Sequence, residues 1–245
     1  MENKNKIILV TGGSRGIGAS MVKLLALDGY KVILNYNKSE DCAKRIKEEL
    51  EEENVNIDII KADVTKKSEI SYMVDKIIEN YGRIDVLINN AGISQEKVFL
   101  DLSDGDWQNI IEANLNSTYY CTKKVLPYML KNKEGCIINI SSIWGVTGGS
   151  CEVGYSTTKA AINGFTKALA KEMGPSNIRI NCIAPGIIDT DMNKNLTKED
   201  IEQIKEEIPL NRIGKTEDIA KCAKWLIEDD YTTGQIINVN GGWFI

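Results

Sequence analysis

Short apolar runs alternate with helix-period segments along this chain, and that alternation leaves few folds open to it. Ile7-Ile8-Leu9-Val10 is too short for a helix and has no polar face, the pattern of a strand covered on both sides. Ile17, Met21, Leu24 and Leu25 follow at helical spacing. The exchange then repeats. Further strands are predicted over 31–35, 57–61, 86–88, 137–140, 178–183 and 236–239. Helices are predicted over 39–53, through Ile70, Val74, Ile77, Ile78 and Tyr81, through Trp107, Ile111, Leu115 and Tyr119 to a stop in the region 127–135, over about 153–173, and around 217–227. Strand–helix–strand units in series imply an α/β fold with a doubly wound, seven-stranded parallel sheet and helices on both faces. No linker or shift of composition divides the chain, so one domain over 1–245 is expected. The polar stretch 190–214 interrupts the alternation; it suits a lid, and equally an ordinary solvated helix over 198–207.

The first strand runs into Thr11-Gly12-Gly13-Ser14-Arg15-Gly16-Ile17-Gly18. Gly12 permits a tight turn, Gly16 lets the backbone approach a pyrophosphate, and Gly18 allows close helix–strand packing. The helix that follows offers free N–H groups and a positive dipole end. A strand before and a helix after make this the dinucleotide-binding turn of a Rossmann fold, with the cofactor half over about 1–140 and the catalytic and substrate half over about 141–245. An NAD site would place a carboxylate at the end of the second strand. This strand ends Leu34-Asn35-Tyr36-Asn37-Lys38, with no acid. Arg15 and Lys38 suit a 2′-phosphate, so NADP(H) is the expected cofactor.

The 245-residue chain contains no histidine. Ser-His-Asp triads, His-ligated zinc and His general bases are therefore excluded together, and no metal site is expected. Acid–base chemistry falls to Tyr, Lys, Cys or carboxylates. Six cysteines are scattered without a Cys-x-x-Cys pair, as for buried thiols in a reducing cytosol. A net charge of −5 argues against nucleic acid as a partner. No run approaches a membrane span and the N-terminus has no signal-peptide plan, so a cytoplasmic location without membrane contact is expected.

Tyr155 and Lys159 stand four residues apart, on one face of the helix predicted there. A phenol titrates near ~10. A fixed positive charge beside it is expected to lower that value toward neutrality, where a general acid works best. Taken alone, Tyr-x-x-x-Lys arises by chance on many helices. The absence of histidine and the Gly-rich turn upstream raise its weight.

The chain resembles the short-chain dehydrogenase/reductase family over essentially its whole length. The matching segments stand in the family's order: Thr11–Gly18, Asp63-Val64, Asn89-Asn90-Ala91-Gly92, Asn114, Ser141-Ser142, Tyr155-x-x-x-Lys159 and Pro185-Gly186. Within the family it is most similar to bacterial 3-oxoacyl-acyl-carrier-protein reductases, especially around 83–92, 181–192 and Asn238-Val239-Asn240-Gly241-Gly242. The resemblance implies four catalytic residues. Ser142 would hydrogen-bond the substrate oxygen, Tyr155 would donate the proton, Lys159 would hold the nicotinamide ribose and lower the tyrosine pKa, and Asn114 would hold a water that relays protons to the lysine.

For the cofactor, the resemblance implies Gly12, Ser14, Arg15, Gly16, Ile17 and Gly18 around the phosphates and Asn37 and Lys38 at the ribose. Asp63 and Val64 would meet the adenine. Asn90, Ala91, Gly92, Tyr155 and Lys159 would line the nicotinamide side, with Pro185, Gly186, Ile188 and Thr190 wrapping the ring. Blander readings exist for several: a turn serine at Ser142, a solvent-facing Asn114, a helix N-cap at Asp63.

The implied activity is NADPH-dependent reduction of a ketone, a 3-oxoacyl thioester by preference, with an acyl carrier protein as a further implied partner. A reductase of another ketone or alcohol (steroid, polyol or xenobiotic) and a non-catalytic NADP-binding sensor or structural protein are the alternatives. Two features depart from the acyl-carrier pattern. Ser176-Asn177 stands where a second arginine is often found, and the loops 143–146 and 149–153 differ, with Trp144 and Glu152 expected to flank the pocket. Thr157, Ala161, Gly164 and Ala168 form a small-residue stripe on the helix carrying Tyr155. The resemblance implies a homotetramer built partly on it; packing on the chain's own sheet would serve the same stripe.

Overall fold

Apolar runs without a polar face need cover on both sides, and the computed structural model, which describes residues 5–193 and 196–245, supplies it. The strands are β1 (Ile7–Val10), β2 (Lys31–Tyr36), β3 (Asp58–Lys61), β4 (Val86–Asn89), β5 (Gly135–Ile140), β6 (Ile178–Pro185) and β7 (Ile236–Val239). They form one seven-stranded sheet in the order β3-β2-β1-β4-β5-β6-β7, and every pairing is parallel. Each strand matches a predicted run. Val153–Met173 and Ile236–Val239 coincide with their predicted bounds.

The helices are α1 (Gly16–Leu27), α2 (Glu40–Glu52), α3 (Lys67–Tyr81), α4 (Asp104–Ile111), α5 (Ser117–Asn132), α6 (Trp144–Thr147), α7 (Val153–Met173), α8 (Lys198–Glu207) and α9 (Thr216–Glu228). Successive strand residues point to opposite faces, so β1 serves two cores. Ile8 and Val10 pack with Met21 and Leu25 of α1, Ile46 of α2 and Leu226 of α9. Ile7 and Leu9 pack on the other side with Met73 of α3, Val125 of α5 and Ala170 of α7. That division is the doubly wound α/β architecture the alternation predicts.

The predicted fourth helix differs from expectation in one way: it is broken by a π-helical turn over Glu112–Asn116, between α4 and α5. It ends at Asn132, inside the predicted stop region, having passed through Pro127, and Lys133 takes a left-handed conformation. Burial of Cys121, Val125 and Met129 along one face of α5 outweighs the single backbone hydrogen bond that Pro127 removes. The four-residue α6 is too short to leave a periodic signal.

α7 buries Tyr155, Thr158, Lys159, Ile162, Thr166 and Ala170. Thr157, Gly164 and Ala168 of the small-residue stripe face outward and are exposed. The stripe is therefore not what α7 packs on its own sheet. All six cysteines are free thiols, and Cys121, Cys136 and Cys182 are buried. Among the described residues no helix is long and apolar enough to cross a membrane.

Strand order reverses between β1 and β4, which opens a crevice at their carboxyl ends, the place where open α/β sheets bind ligands.

Candidate active site

The Gly-rich turn lies at the carboxyl end of β1 and closes directly on the end of β4. Gly12 adopts a φ of 63°, and a Cβ there would lie 2.9 Å from the Ala91 Cα. A Cβ on Gly18 would run into the Gly12 carbonyl oxygen and sit 2.6 Å from the Asn90 Nδ2. Neither position admits a side chain. Thr11 fastens the two strand ends together. Its Oγ1 donates to the Ile88 carbonyl (3.3 Å) and accepts from the Asn90 and Ala91 N–H groups (3.0 and 3.1 Å). The Asn90 amide returns two bonds, to the Thr11 and Gly12 carbonyls (2.9 and 3.0 Å). From the other side, Asn35 of β2 accepts from the Gly12 N–H at Oδ1 (3.3 Å), and its main-chain oxygen accepts from Gly13 N–H (2.8 Å).

Arg15 is the N-cap of α1 and is exposed, and its side chain makes no cap bond. Ser14 is buried and Ile17 half-buried beside it. The first turn of α1 thus keeps unpaired N–H groups and its positive dipole end. Thr190 touches this turn across the crevice: a Cβ on Gly16 would lie 3.4 Å from the Thr190 Cγ2. A backbone cradle that admits no side chain, next to an uncapped helix N-terminus, fits the pyrophosphate of a dinucleotide.

Asn37 and Lys38 are exposed just past β2. Asp63, past β3, is held next to Asn37. Its Oδ1 accepts from the Thr65 N–H (3.0 Å) and hydroxyl (2.7 Å), and the Asn37 side chain bonds to it as well. Burial alone would raise the Asp63 pKa, but these hydrogen bonds, aided by Lys66, hold it below the usual carboxylate value. Asp63 does not cap α3, whose N-cap is Lys66; Val64 beside it is buried.

β5 leads into Ser141 and Ser142, which face α7. The Ser142 hydroxyl lies close to the Tyr155 phenol and accepts from the Trp144 N–H (3.2 Å). Lys159 is one turn further along α7. Its Nζ donates to the Ile140 carbonyl (2.8 Å) and lies 5.5 Å from the centroid of the Tyr155 ring. Asn114, in the π-helical turn, is buried rather than solvent-facing. Its Oδ1 accepts from Ile93 N–H (2.8 Å), and its Nδ2 donates to the Ile93 carbonyl (2.9 Å) and the Thr158 hydroxyl (3.2 Å). A Cβ on Gly92 would lie 3.0 Å from Asn114 Oδ1 and 3.7 Å from Lys159 Nζ. Asn114, Ser142, Tyr155, Lys159 and Gly92 therefore share one corner of the crevice.

The electrostatics of this corner correct the sequence expectation. Lys159 was expected to lower the tyrosine pKa. Burial instead pushes the Tyr155 phenol up to about 12, with the nearby Ser142 hydroxyl opposing and the Glu152 charge adding to it. The same burial pushes Lys159 down to about 8. Both groups are driven toward their neutral forms because neither is offered enough counter-charge to offset lost solvation.

On the far side of the crevice, β6 ends at the buried Pro185, and Gly186 abuts Asn240. Ile188 is buried and forms a parallel bridge with Gly214, closed by bonds from Asp189 N–H to the Gly214 carbonyl and from Gly214 N–H to the Ile187 carbonyl (both 2.9 Å). The segment expected as a lid, 190–214, leaves and returns at this bridge and contains α8; residues 194 and 195 of it lie outside the described residues. A cavity of ≈ 250 Å³ opens between the two, lined by Ile188, Thr190, Asn193, Leu196, Ile201 and Ile213 among others. Trp144 and Glu152, expected to flank the pocket, are not among the residues that line this cavity. The Trp144 indole meets the Trp243 indole edge-on (5.5 Å between centroids), and the Trp243 Nε1 donates to Glu207 at the end of α8 (3.1 Å).

Several residues to which the sequence assigned no role position the site. Thr11 and Asn35 brace the turn. Beneath the crevice the Asn89 amide donates to Thr122 (3.0 Å) and Asn139 (2.9 Å), and the Asn139 amide to Thr166 (2.9 Å), tying β4 and β5 to α5 and α7. A signal existed for each asparagine: a single polar residue inside an otherwise apolar strand is buried and needs partners. Among the described residues, no group of three or more Cys, Asp or Glu side chains is placed to hold a metal ion.

A dinucleotide cradle at the switch point of a parallel sheet, with a serine, tyrosine and lysine gathered beside it, defines a class of nucleotide-binding oxidoreductases. The model of the family described as short chain dehydrogenase matches residues 6–201, and the chain belongs to that family, whose members use a nicotinamide cofactor. It is 40% identical over 243 residues to a 3-oxoacyl-[acyl-carrier-protein] reductase of Staphylococcus epidermidis, covering 98% of this chain and 100% of the relative. It is 41% identical over 241 residues to the protein of the same name from Chlamydia muridarum, covering 97% of each. An uncharacterized oxidoreductase of Bacillus subtilis is 39% identical over 242 residues, covering 98% of this chain and 99% of that one.

Proposed function

We propose that this chain reduces the ketone of a 3-oxoacyl thioester to the 3-hydroxyacyl form, with NADPH as the cofactor. The observation that carries the reading is the gathering of the Ser142 and Tyr155 hydroxyls with Lys159 and Asn114 at the edge of the dinucleotide cradle. The cofactor, when bound, supplies the hydride. Ser142 hydrogen-bonds the ketone oxygen and stabilises the charge that develops there. Tyr155 gives that oxygen its phenolic proton. With its pKa near 12 the phenol is fully protonated at neutral pH, the form a reduction needs and an oxidation does not. Lys159, brought to about 8, can exchange a proton near neutrality and resupply the tyrosine. The π-helical turn at Asn114 disrupts main-chain pairing next to Lys159 and suits a water that carries protons inward.

Gly12, Ser14, Gly16, Ile17 and Gly18 would hold the pyrophosphate, and Asp63 and Val64 the adenine. Asn90, Ala91 and Gly92 would line the ribose and nicotinamide, with Pro185, Gly186, Ile188 and Thr190 around the carboxamide. Arg15, exposed in the turn after β1, and Asn37 and Lys38, exposed just past β2, favour NADPH, since no carboxylate of β2 opposes a 2′-phosphate. The outward-facing stripe of α7 supports assembly into a homotetramer, and acyl carrier protein as the thioester carrier accords with the relatives' names. Coenzyme A is the alternative carrier, and a cytoplasmic setting is part of the same reading. A second reading, reduction of a bulkier cyclic ketone, is favoured by the pair of indoles, Trp144 and Trp243, just past β5 and β7.

Oxidation of NADPH and of NADH, each with acetoacetyl-CoA and with a panel of cyclic ketones, tests these readings. The thioester with NADPH is expected to give the highest kcat/KM, at least about tenfold above NADH. Preference for a cyclic ketone would favour the second reading, and parity of the two cofactors would contradict the assignment of Arg15 and Lys38.

A further inference from the structure

Glu152 occupies the N-cap position of α7, three residues before Tyr155, yet its side chain makes no cap. Its carboxylate is half-buried and close to the Trp144 side chain instead. Trp144 donates its main-chain N–H to Ser142, and Ser142 lies close to Tyr155. The start of α7 thus sets a half-buried carboxylate three residues before Tyr155, on the side of the helix where the two hydroxyls receive the ketone. The loop after β4 docks at the same place, through a bond from Lys97 N–H to the Cys151 carbonyl (2.6 Å), and it brings a second carboxylate, Glu96, within range to repel Glu152. The nearest ammonium on that loop, Lys97, is engaged with Asp106 (2.7 Å). Among the described residues no cation pairs with Glu152; burial first, then Glu96, raises its pKa, as for a carboxylate without counter-charge.

We propose that Glu152 is a charge-selecting residue, which admits neutral 3-oxo esters and thioesters and rejects the free 3-oxo carboxylates. The inference rests on the reading of the site as a 3-oxoacyl reductase. In a 3-oxo acid a single methylene separates ketone and carboxylate. With the ketone oxygen between Ser142 and Tyr155, a free acid brings its charge to Glu152, where an ester or thioester brings none. Like charges a few ångströms apart in a partly desolvated site repel strongly enough to alter kcat/KM by on the order of tenfold or more.

The test compares kcat/KM for ethyl acetoacetate and for acetoacetate, at mildly alkaline pH and low salt, in the wild type, Glu152→Gln and Glu152→Asp. Glutamine keeps a carbonyl oxygen beside Trp144 and removes only the charge. The ester-to-acid ratio is expected to fall by about tenfold in Glu152→Gln and to persist in Glu152→Asp. Each ratio is taken within one protein, so loss of folded material cancels. In the wild type, added salt should narrow the preference as it screens the repulsion. A ratio unmoved by both Glu152→Gln and salt overturns the inference. A wild type that turns over neither the ester nor a 3-oxoacyl thioester overturns the proposed function itself, a failure recognised without any variant.

Discussion

The two walls of the crevice are built differently. On the cofactor side, main chain meets main chain: Gly12 against Ala91, Gly18 against the Gly12 carbonyl, with Thr11, Asn35 and Asn90 locking the strand ends. On the substrate side, contacts between distant loops run through long side chains: Trp144 against Trp243, and Trp243 to Glu207. Val98, Phe99, Leu100, Met192 and Leu210 lie exposed in the loops of that side. A backbone cradle tolerates almost no change, whereas a wall of side chains can be retuned without disturbing the fold. The first kind of wall suits a shared cofactor and the second a variable substrate.

Breaking the cofactor wall should have the largest effect. Gly18→Ala places a methyl group against the Gly12 carbonyl and is expected to destabilise the chain by roughly 3 kcal/mol and to abolish measurable NADPH binding. Thermal unfolding and fluorescence titration of the cofactor would show both; retained binding would mean that the cradle is looser than its geometry implies.

The catalytic corner lies between the walls and should respond to pH. Lys159 loses its proton near 8, so kcat for reduction is expected to fall as pH rises through that value, while Tyr155, near 12, adds no limb in the accessible range. Stability should move the other way. From about 8 up to the ordinary lysine pKa the folded chain binds fewer protons than the unfolded chain, and stability rises with pH. Below about 8 the full burial penalty of the ammonium is present. Lys159→Met should therefore lose activity, gain stability at neutral pH and lose that alkaline rise, read from melting temperatures across pH.

The smallest effect is expected at the substrate wall. Trp243→Ala removes one edge-on aromatic contact and should cost about 1 kcal/mol of stability. It should change KM for bulky ketones more than kcat for small ones. A collapse of folding like that of Gly18→Ala would erase the distinction between the walls.

The same distinction explains what could be read from sequence. The cofactor wall was legible because its requirements are local: a glycine is needed where a neighbouring backbone leaves no room, and it stands at a fixed distance from the strand before it. The strands were legible because burial on both faces leaves β1, β4 and β5 almost wholly apolar. Asn35, Asn89 and Asn139 were visible as polar interruptions, but which carbonyl or hydroxyl each would reach depends on strand order. Trp243 against Trp144 joins residues far apart in the chain, and nothing local marks such a pair. The Tyr155 pKa was misjudged for a related reason. Sequence shows that a lysine is near, but not how deeply both are buried, and burial decided the direction.

The central claim is that Tyr155 donates the proton in an NADPH-dependent ketone reduction. The most direct measurement is single-turnover oxidation of NADPH with acetoacetyl-CoA by the wild type and by Tyr155→Phe, alongside NADPH affinity for each. A loss of at least about a thousandfold in rate, with affinity within a few-fold of the wild type, is predicted. A Tyr155→Phe protein that reduces the thioester at the wild-type rate would contradict the account.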